Sequence, residues 1–360
     1  MCCPDETWCA SRHTCCGPPV LHRNDSRVVA HQRRLRDQGL VTTVQTSTHG
    51  FAGALGCEYR DDFTCSDISY VDDCVCPVVE RATEFLPKMY AVAAVLHDVL
   101  HAYGFQVNYA QRKTEVLLQW AGDGSAKLRK ERARVGDRTV PFLTRSGQAL
   151  DLGETAVYRH LGTKMASKRA PHADTQGRTQ GIRMDIRTDR RIFRNRQSSV
   201  HARLIIEQML VLSRGMYKVA AWAGTRTVLE RRNRSAILAV YRDISDQYWT
   251  PDSGHSLNDE QIIKTYCLIP PLVLMRLARM NLCVRICCRR PSALVRALGA
   301  ADIKDSGWLS LIREDFEWMG KVMENTPAGI RTYEQWAELA MYDPSGCRRL
   351  LTKSATGGVS

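Results

Sequence analysis

Two adjacent acids, Asp72 and Asp73, stand between the apolar run Ile68-Ser69-Tyr70-Val71 and the stretch Cys74-Val75-Cys76-Pro77. Side-by-side carboxylates at a tight strand turn are what a two-metal phosphoryl-transfer site requires, and on a mostly apolar hairpin they carry a desolvation cost. A solvated Asp-Asp turn is the plainer reading of the tetrapeptide alone. The segments that follow have to decide between them.

Residues 78 to 103 place Ala82, Phe85, Met89, Val92, Val95, Leu96, Val99, Leu100 and Tyr103 at spacings of three and four, ending at Gly104. That pattern predicts an amphipathic helix with a glycine C-cap and Pro87 in its early part. Phe105-Gln106-Val107-Asn108 follows, then Lys113 to Trp120, whose later part is β-rich, and a turn at Gly122-Asp123-Gly124. A charged insert from Lys127 to Arg138 leads to a strand at Val140 to Thr144, and then to Val157-Tyr158-Arg159-His160-Leu161-Gly162.

The net charge of +13 is concentrated: residues 125 to 234 hold 25 Lys and Arg against 9 Asp and Glu. Such a block, in a chain that is 44% hydrophobic and 25% charged, reads as a polyanion-facing surface. A solvated helical face is the bland alternative.

Fourteen cysteines in a chain of 360 residues do not read as a secreted disulfide scaffold, and no charged n-region leads into an apolar h-region at the start. The expected location is intracellular, in nucleus or cytoplasm. The most apolar segment, Cys267 to Cys288, is interrupted by Pro270-Pro271, Arg276, Arg279 and Arg285, so it reads as a buried helix and not a membrane span. Cys283, Cys287 and Cys288 within it read as small buried apolar residues. Near the start, Cys2-Cys3, Cys9, Cys15-Cys16, His13 and His22 lack the paired Cys-x2-4-Cys spacing of a zinc site.

The order of these segments is more specific than any one of them. An acidic Tyr-x-Asp-Asp hairpin, an amphipathic helix, a Gly-Phe-x-x-Asn segment running into Lys113-Thr114-Glu115, and a Tyr-x-x-Leu-Gly hairpin resemble the later palm motifs of a reverse transcriptase. Leu210 to Tyr217 with Trp222 resembles the thumb helix of non-LTR (LINE-type) retrotransposon polymerases. Leu257 to Glu260, the arginine-bearing helix at 272 to 289 and Trp308 to Trp318 resemble the region beyond that thumb, so the resemblance covers roughly residues 66 to 325.

The resemblance implies an RNA-directed DNA polymerase acting on an RNA template, a DNA primer and deoxynucleotides, with no membrane partner. It makes Asp72 and Asp73 the carboxylates for Mg2+ (or Mn2+), and Tyr70 an aromatic near the primer end. Lys113 would sit close to the departing pyrophosphate, and Tyr158, Leu161 and Gly162 would form a primer grip. Arg159 and His160 stand where the family often carries an apolar residue. In the basic block, helical spacing puts several of Arg183, Arg187, Arg190, Arg191, Arg194 and Arg196 on one side, where they would track phosphates.

One departure matters. The family's metal site also uses an aspartate on an earlier palm strand, and no such pattern precedes Ser66; Asp61-Asp62-Phe63 lies only about 10 residues before the hairpin, too close for the intervening helix and strand. Loss of a well-placed electrostatic group commonly costs about 10²-fold in rate. The expectation is therefore the C-terminal portion of a reverse transcriptase, impaired when alone. A non-catalytic basic nucleic-acid-binding remnant and a purely structural helical protein are the alternatives. The expected fold is α+β: a poorly ordered or degenerate leader (1–64), a truncated antiparallel palm (65–165), a basic helical thumb (166–225), a C-terminal helical region (226–342) and a disordered tail (343–360).

Overall fold

The computed structural model describes residues 29–44, 63–65, 68–70, 73–136, 138–160, 162–167, 170–222, 226–247, 257–289, 294, 298, 307–322, 330 and 332–357; for a few of these, Tyr70 and Asp73 among them, only the backbone is described. The chain is α+β, mostly helical with small sheets. It forms two compact units, one drawing on residues before 44 and on Thr64–Leu161, the other on Gly162 onward.

The first unit contains α1 (29–37), β1 (Thr42–Val44), β2 (Phe63–Cys65), β3 (Ile68–Tyr70), β4 (Asp73–Val75), α2 (Ala82–Ala102), β5 (Glu115–Leu117), α3 (Ser125–Val135), β6 (Thr139–Leu143), β7 (Ala149–Thr155) and β8 (Val157–His160). The three-and-four spacing of α2 buries two adjoining faces. Met89 joins Leu118, Val140, Phe142 and Leu152, whereas Val92, Val95 and Val99 join Leu35 of α1. Gly104 ends α2 in a Schellman arrangement, with φ +80°. Its N–H donates to His101 O at 2.9 Å, and Phe105 N–H donates to Leu100 O at 3.0 Å.

Strands β6 and β7 form an antiparallel hairpin in which Val140 faces Leu152 and Phe142 faces Leu150. Its turn closes through Thr144 N–H on Gln148 O at 2.9 Å, with Gly147 at φ +82°. Pro141 is tolerated because β6 is an edge strand, the order being β5-β7-β6. The sheet departs from the antiparallel expectation: β5 runs parallel to β7, Val116 beside Glu154. The physical reason lies in the charged insert, which folds as α3 and carries the chain over from β5. Arg132 of α3 anchors it, donating to Glu154 at 2.7 Å and to Thr139 O at 2.7 Å.

The second unit holds β9 (Thr163–Ala166), α4 (Ala170–Thr188), α5 (Arg190–Phe193), α6 (Val200–Glu207), a π-helical continuation (Gln208–Leu212) running into Ser213–Gly215, a 3-10 turn (Val219–Ala221), α7 (Arg226–Ile244), α8 (Asp259–Thr265), α9 (Pro271–Arg289), α10 (Gly307–Val322), α11 (Tyr333–Tyr342) and α12 (Pro344–Gly357). One core gathers Ile182, Phe193, Val211, Ile237, Val240, Tyr241, Ile244 and Ile262. A Cβ at Gly215 would strike Ile182, so glycine there permits the close approach of α4. A second core gathers Met280, Val284, Trp308, Ile312, Phe316, Met319, Trp336 and Leu351. Ser199 caps α6, and reciprocal capping boxes start α8 (Asn258, Gln261) and α11 (Thr332, Gln335).

Several sequence expectations change. The leader is ordered over its described part: Leu35 is fully buried, and Thr42, also buried, donates to Pro77 O at 2.8 Å. The tail forms a helix in place of the expected disorder, because Cys347 and Leu351, four apart, bury one face of α12 against α9 and α11. Near 207–212 burial does not follow polarity: Glu207 is buried, while Met209 and Leu210 are exposed. Gln208–Leu212 form a π turn, which holds more residues per turn than an α-helix and so rotates the face. Within the buried helix α9, Arg276 and Arg279 turn inward. Arg279 grips Asp315 with bonds of 2.6 and 3.0 Å, both side chains being 2% exposed, and Arg276 lies 3.6 Å from the same carboxylate and over the Trp318 ring.

Candidate functional site

The acidic hairpin is built by β3 and β4, paired antiparallel with Ile68 opposite Val75, Ser69 opposite Cys74 and Tyr70 opposite Asp73. Asp72 and Leu161 lie outside the described residues. Two carboxylates suit a hard cation that completes its shell with water and phosphate oxygens. Among the described residues, no three histidine, cysteine or acidic side chains already form a metal-holding group.

Beyond α2, the chain between Gly104 and β5 is held by its own turns. Asn108 Oδ1 accepts from Ala110 N–H at 3.0 Å, Asn108 O accepts from Thr114 N–H at 3.1 Å, and Arg112 takes φ +69° with its N–H on Glu115 at 2.8 Å. This presents the Lys113 side chain to solvent. The Tyr158 hydroxyl, on β8, donates to Lys113 O at 2.8 Å across 45 residues of sequence. The structure therefore joins the lysine segment to the first residue of the Tyr-x-x-Leu-Gly hairpin.

In the second unit, Gly162 takes φ +74° and its carbonyl accepts from Arg178 at 2.6 Å. Arg178 also donates to Arg214 O at 3.1 Å and stands 5.0 Å from the Tyr217 ring centre. Beneath it, buried Asp174 accepts from Lys164 N–H at 3.1 Å and from the Trp222 indole at 2.9 Å, with Arg178 Nε 3.7 Å away. Burial, and secondarily the Arg178 charge, hold the Lys218 ammonium below its ordinary range, against the pull of Asp174. Sequence reading missed this centre, although Asp174 and Arg178 stand four apart on one helix, a spacing that places both on one side.

The arginine row divides. Arg183 and Arg187 are exposed on α4, and Arg190, Arg191 and Arg196 are exposed beyond the helix break at Asp189. Arg194 does not belong with them: it places two nitrogens on Asp243 Oδ1, at 3.1 and 2.8 Å, and so serves the packing of this unit. A pair of exposed arginines four apart is the part of the row that matches a phosphate-tracking face.

Glu207 was also unforeseen as a polar feature. It is fully buried where α6 passes into the π turn, and neither carboxylate oxygen has a hydrogen-bond partner. Burial pushes its carboxyl up to about 8, and it in turn adds to the burial that raises the Tyr241 phenol. No helix among the described residues is long and apolar enough to cross a membrane. Compared with known families, curated proteins and solved structures, the chain matches none.

Proposed function

We propose that this chain carries later palm segments and the thumb of a reverse transcriptase of the non-LTR retrotransposon kind, and that it holds primed template through its basic helices. The observation that carries the reading is the Tyr158–Lys113 bond: two motifs that the resemblance places around one substrate are tied together by a direct hydrogen bond. Asp72 and Asp73 would be the carboxylates for magnesium or manganese, which when bound neutralises charge on nucleotide phosphates. The Lys113 side chain, exposed beside this tie, would offer a positive charge to the departing pyrophosphate. Without an upstream aspartate pattern, transfer by this chain alone is weak.

The second reading, nucleic-acid binding without chemistry, is favoured by Arg183, Arg187, Arg190 and Arg191, which are exposed whatever the hairpin does. Both readings are tested with the purified full chain, a primed RNA template, deoxynucleotides and magnesium. The polymerase reading expects slow extension that disappears in Asp72→Ala. Binding with no extension, unchanged by that substitution, would leave the binding reading, and no affinity for primed template at low salt would defeat both.

A further inference from the structure

The sequence spaces Cys74 and Cys76 two apart, and in extended chain that spacing puts both thiols on one side. Cys74 lies in β4 and Cys76 just beyond it, and their Sγ atoms are 3.8 Å apart. His31 of α1, 45 residues earlier, brings its Nε2 to 3.6 Å from Cys76 Sγ. We infer that Cys74, Cys76 and His31 form a site for a zinc-type divalent cation, which would staple α1 to the acidic hairpin.

The spacing carries the inference. With zinc–sulfur bonds of about 2.3 Å, a zinc–nitrogen bond of about 2.0 Å and tetrahedral angles, two thiolates sit about 3.8 Å apart, and a thiolate and an imidazole nitrogen about 3.5 Å apart. The separations of 3.8 and 3.6 Å match two edges of that tetrahedron. As they stand, both contacts run through Cys76, and the three groups are not gathered about one point. Cys74 is exposed, so rotation of its side chain is the adjustment that closes the third edge.

Two of the three ligands are already packed in place. Cys76 packs against the buried cluster of Leu35, Val92, Val95 and Val99, and Leu35 sits one helical turn from His31 on α1. His31 is itself 4% exposed, so its ring is set by packing before any ion arrives. Two thiolates and one neutral imidazole are borderline-soft donors, the set that selects zinc over magnesium. Loading releases the thiol protons, and the imidazole binds through Nε2. The site adjoins Asp73 in sequence but uses none of the polymerase residues, so it stands or falls separately from that reading.

The test is cysteine alkylation of the full-length chain under reducing conditions, with and without added zinc chloride, mapped by peptide mass spectrometry. Bound thiolate is withheld from the reagent, so Cys74 and Cys76 should react at least about tenfold more slowly with zinc. A chelator should restore them, and exposed Cys267 should not change. His31→Gln should abolish most of the protection while leaving both thiols in place. Should that variant unfold, Cys74→Ser at its exposed position carries the same test through the loss of protection at Cys76. Equal rates at Cys74 and Cys76 with and without zinc, or protection confined to the cysteines before residue 17, would overturn the assignment.

Discussion

The Tyr158 hydroxyl and the Lys113 carbonyl oxygen lie 2.8 Å apart, and this bond ties β8 to the turn that precedes β5. An intramolecular hydrogen bond contributes about 0.5–1.5 kcal/mol, and a partly exposed one belongs at the low end. Tyr158→Phe should therefore lower stability by under about 1 kcal/mol in urea, while amide exchange around Lys113 to Glu115 speeds up. Unchanged exchange there would show that the turn is held by its own bonds alone.

Glu207 makes stability depend on pH. An acid whose folded pKa lies above its unfolded value keeps its proton in the folded state, so its stabilising effect is complete below the ordinary value of 4.5 and is lost as pH rises to about 8. Between those values, urea stability should fall by up to about 1.4 kcal/mol per pH unit from this group. Glu207→Gln should flatten that slope and be the more stable protein at pH 8. A slope that persists in the variant would place its origin elsewhere.

Asp315 faces the opposite situation, because its charge is matched. Removing it by Asp315→Ala leaves Arg279 charged and 2% exposed, which should cost about 3–5 kcal/mol in equilibrium unfolding. The double variant Arg279→Met with Asp315→Leu should recover most of that loss. Comparable losses in the single and double variants would show that the ion pair contributes more than the shape it fills.

The exposed arginines separate binding from folding. Arg183→Gln with Arg187→Gln should weaken binding to primed template and lower the slope of log affinity against log salt by about 0.7 to 0.9 for each phosphate no longer neutralised. Arg194→Gln should leave that slope alone and reduce stability, since its partner is Asp243 at 2.8 Å. An altered salt slope in the Arg194 variant would return it to the binding face.

What the sequence made legible follows from range. Helix α2 is readable because its apolar spacing stays regular along its whole length and Gly104 stops it, and β6 because Val140 and Phe142 alternate with polar or exposed neighbours. Strand β7 is not, because Leu150 and Leu152 are its only large apolar residues and its pairing with β5 crosses α3. Helix α12 carries a Ser, Thr and Gly-rich end, yet Cys347 and Leu351 decide its fate through partners on other helices. The role of Arg194 turns on Asp243, 49 residues away, and the neighbour of Cys76 is His31, 45 residues away. Charge and thiol patterns show what a residue offers, and only tertiary packing shows what it meets.

Pro141 has a bearing on how this chain behaves in concentrated solution. A three-stranded sheet exposes two edges for few strands, and a bare edge invites a second molecule to zip on. With no N–H at position 141, the outer side of β6 lacks a donor at its midpoint, so an incoming strand meets a broken ladder. Replacing this proline would remove a guard against self-association while leaving the hairpin register unchanged.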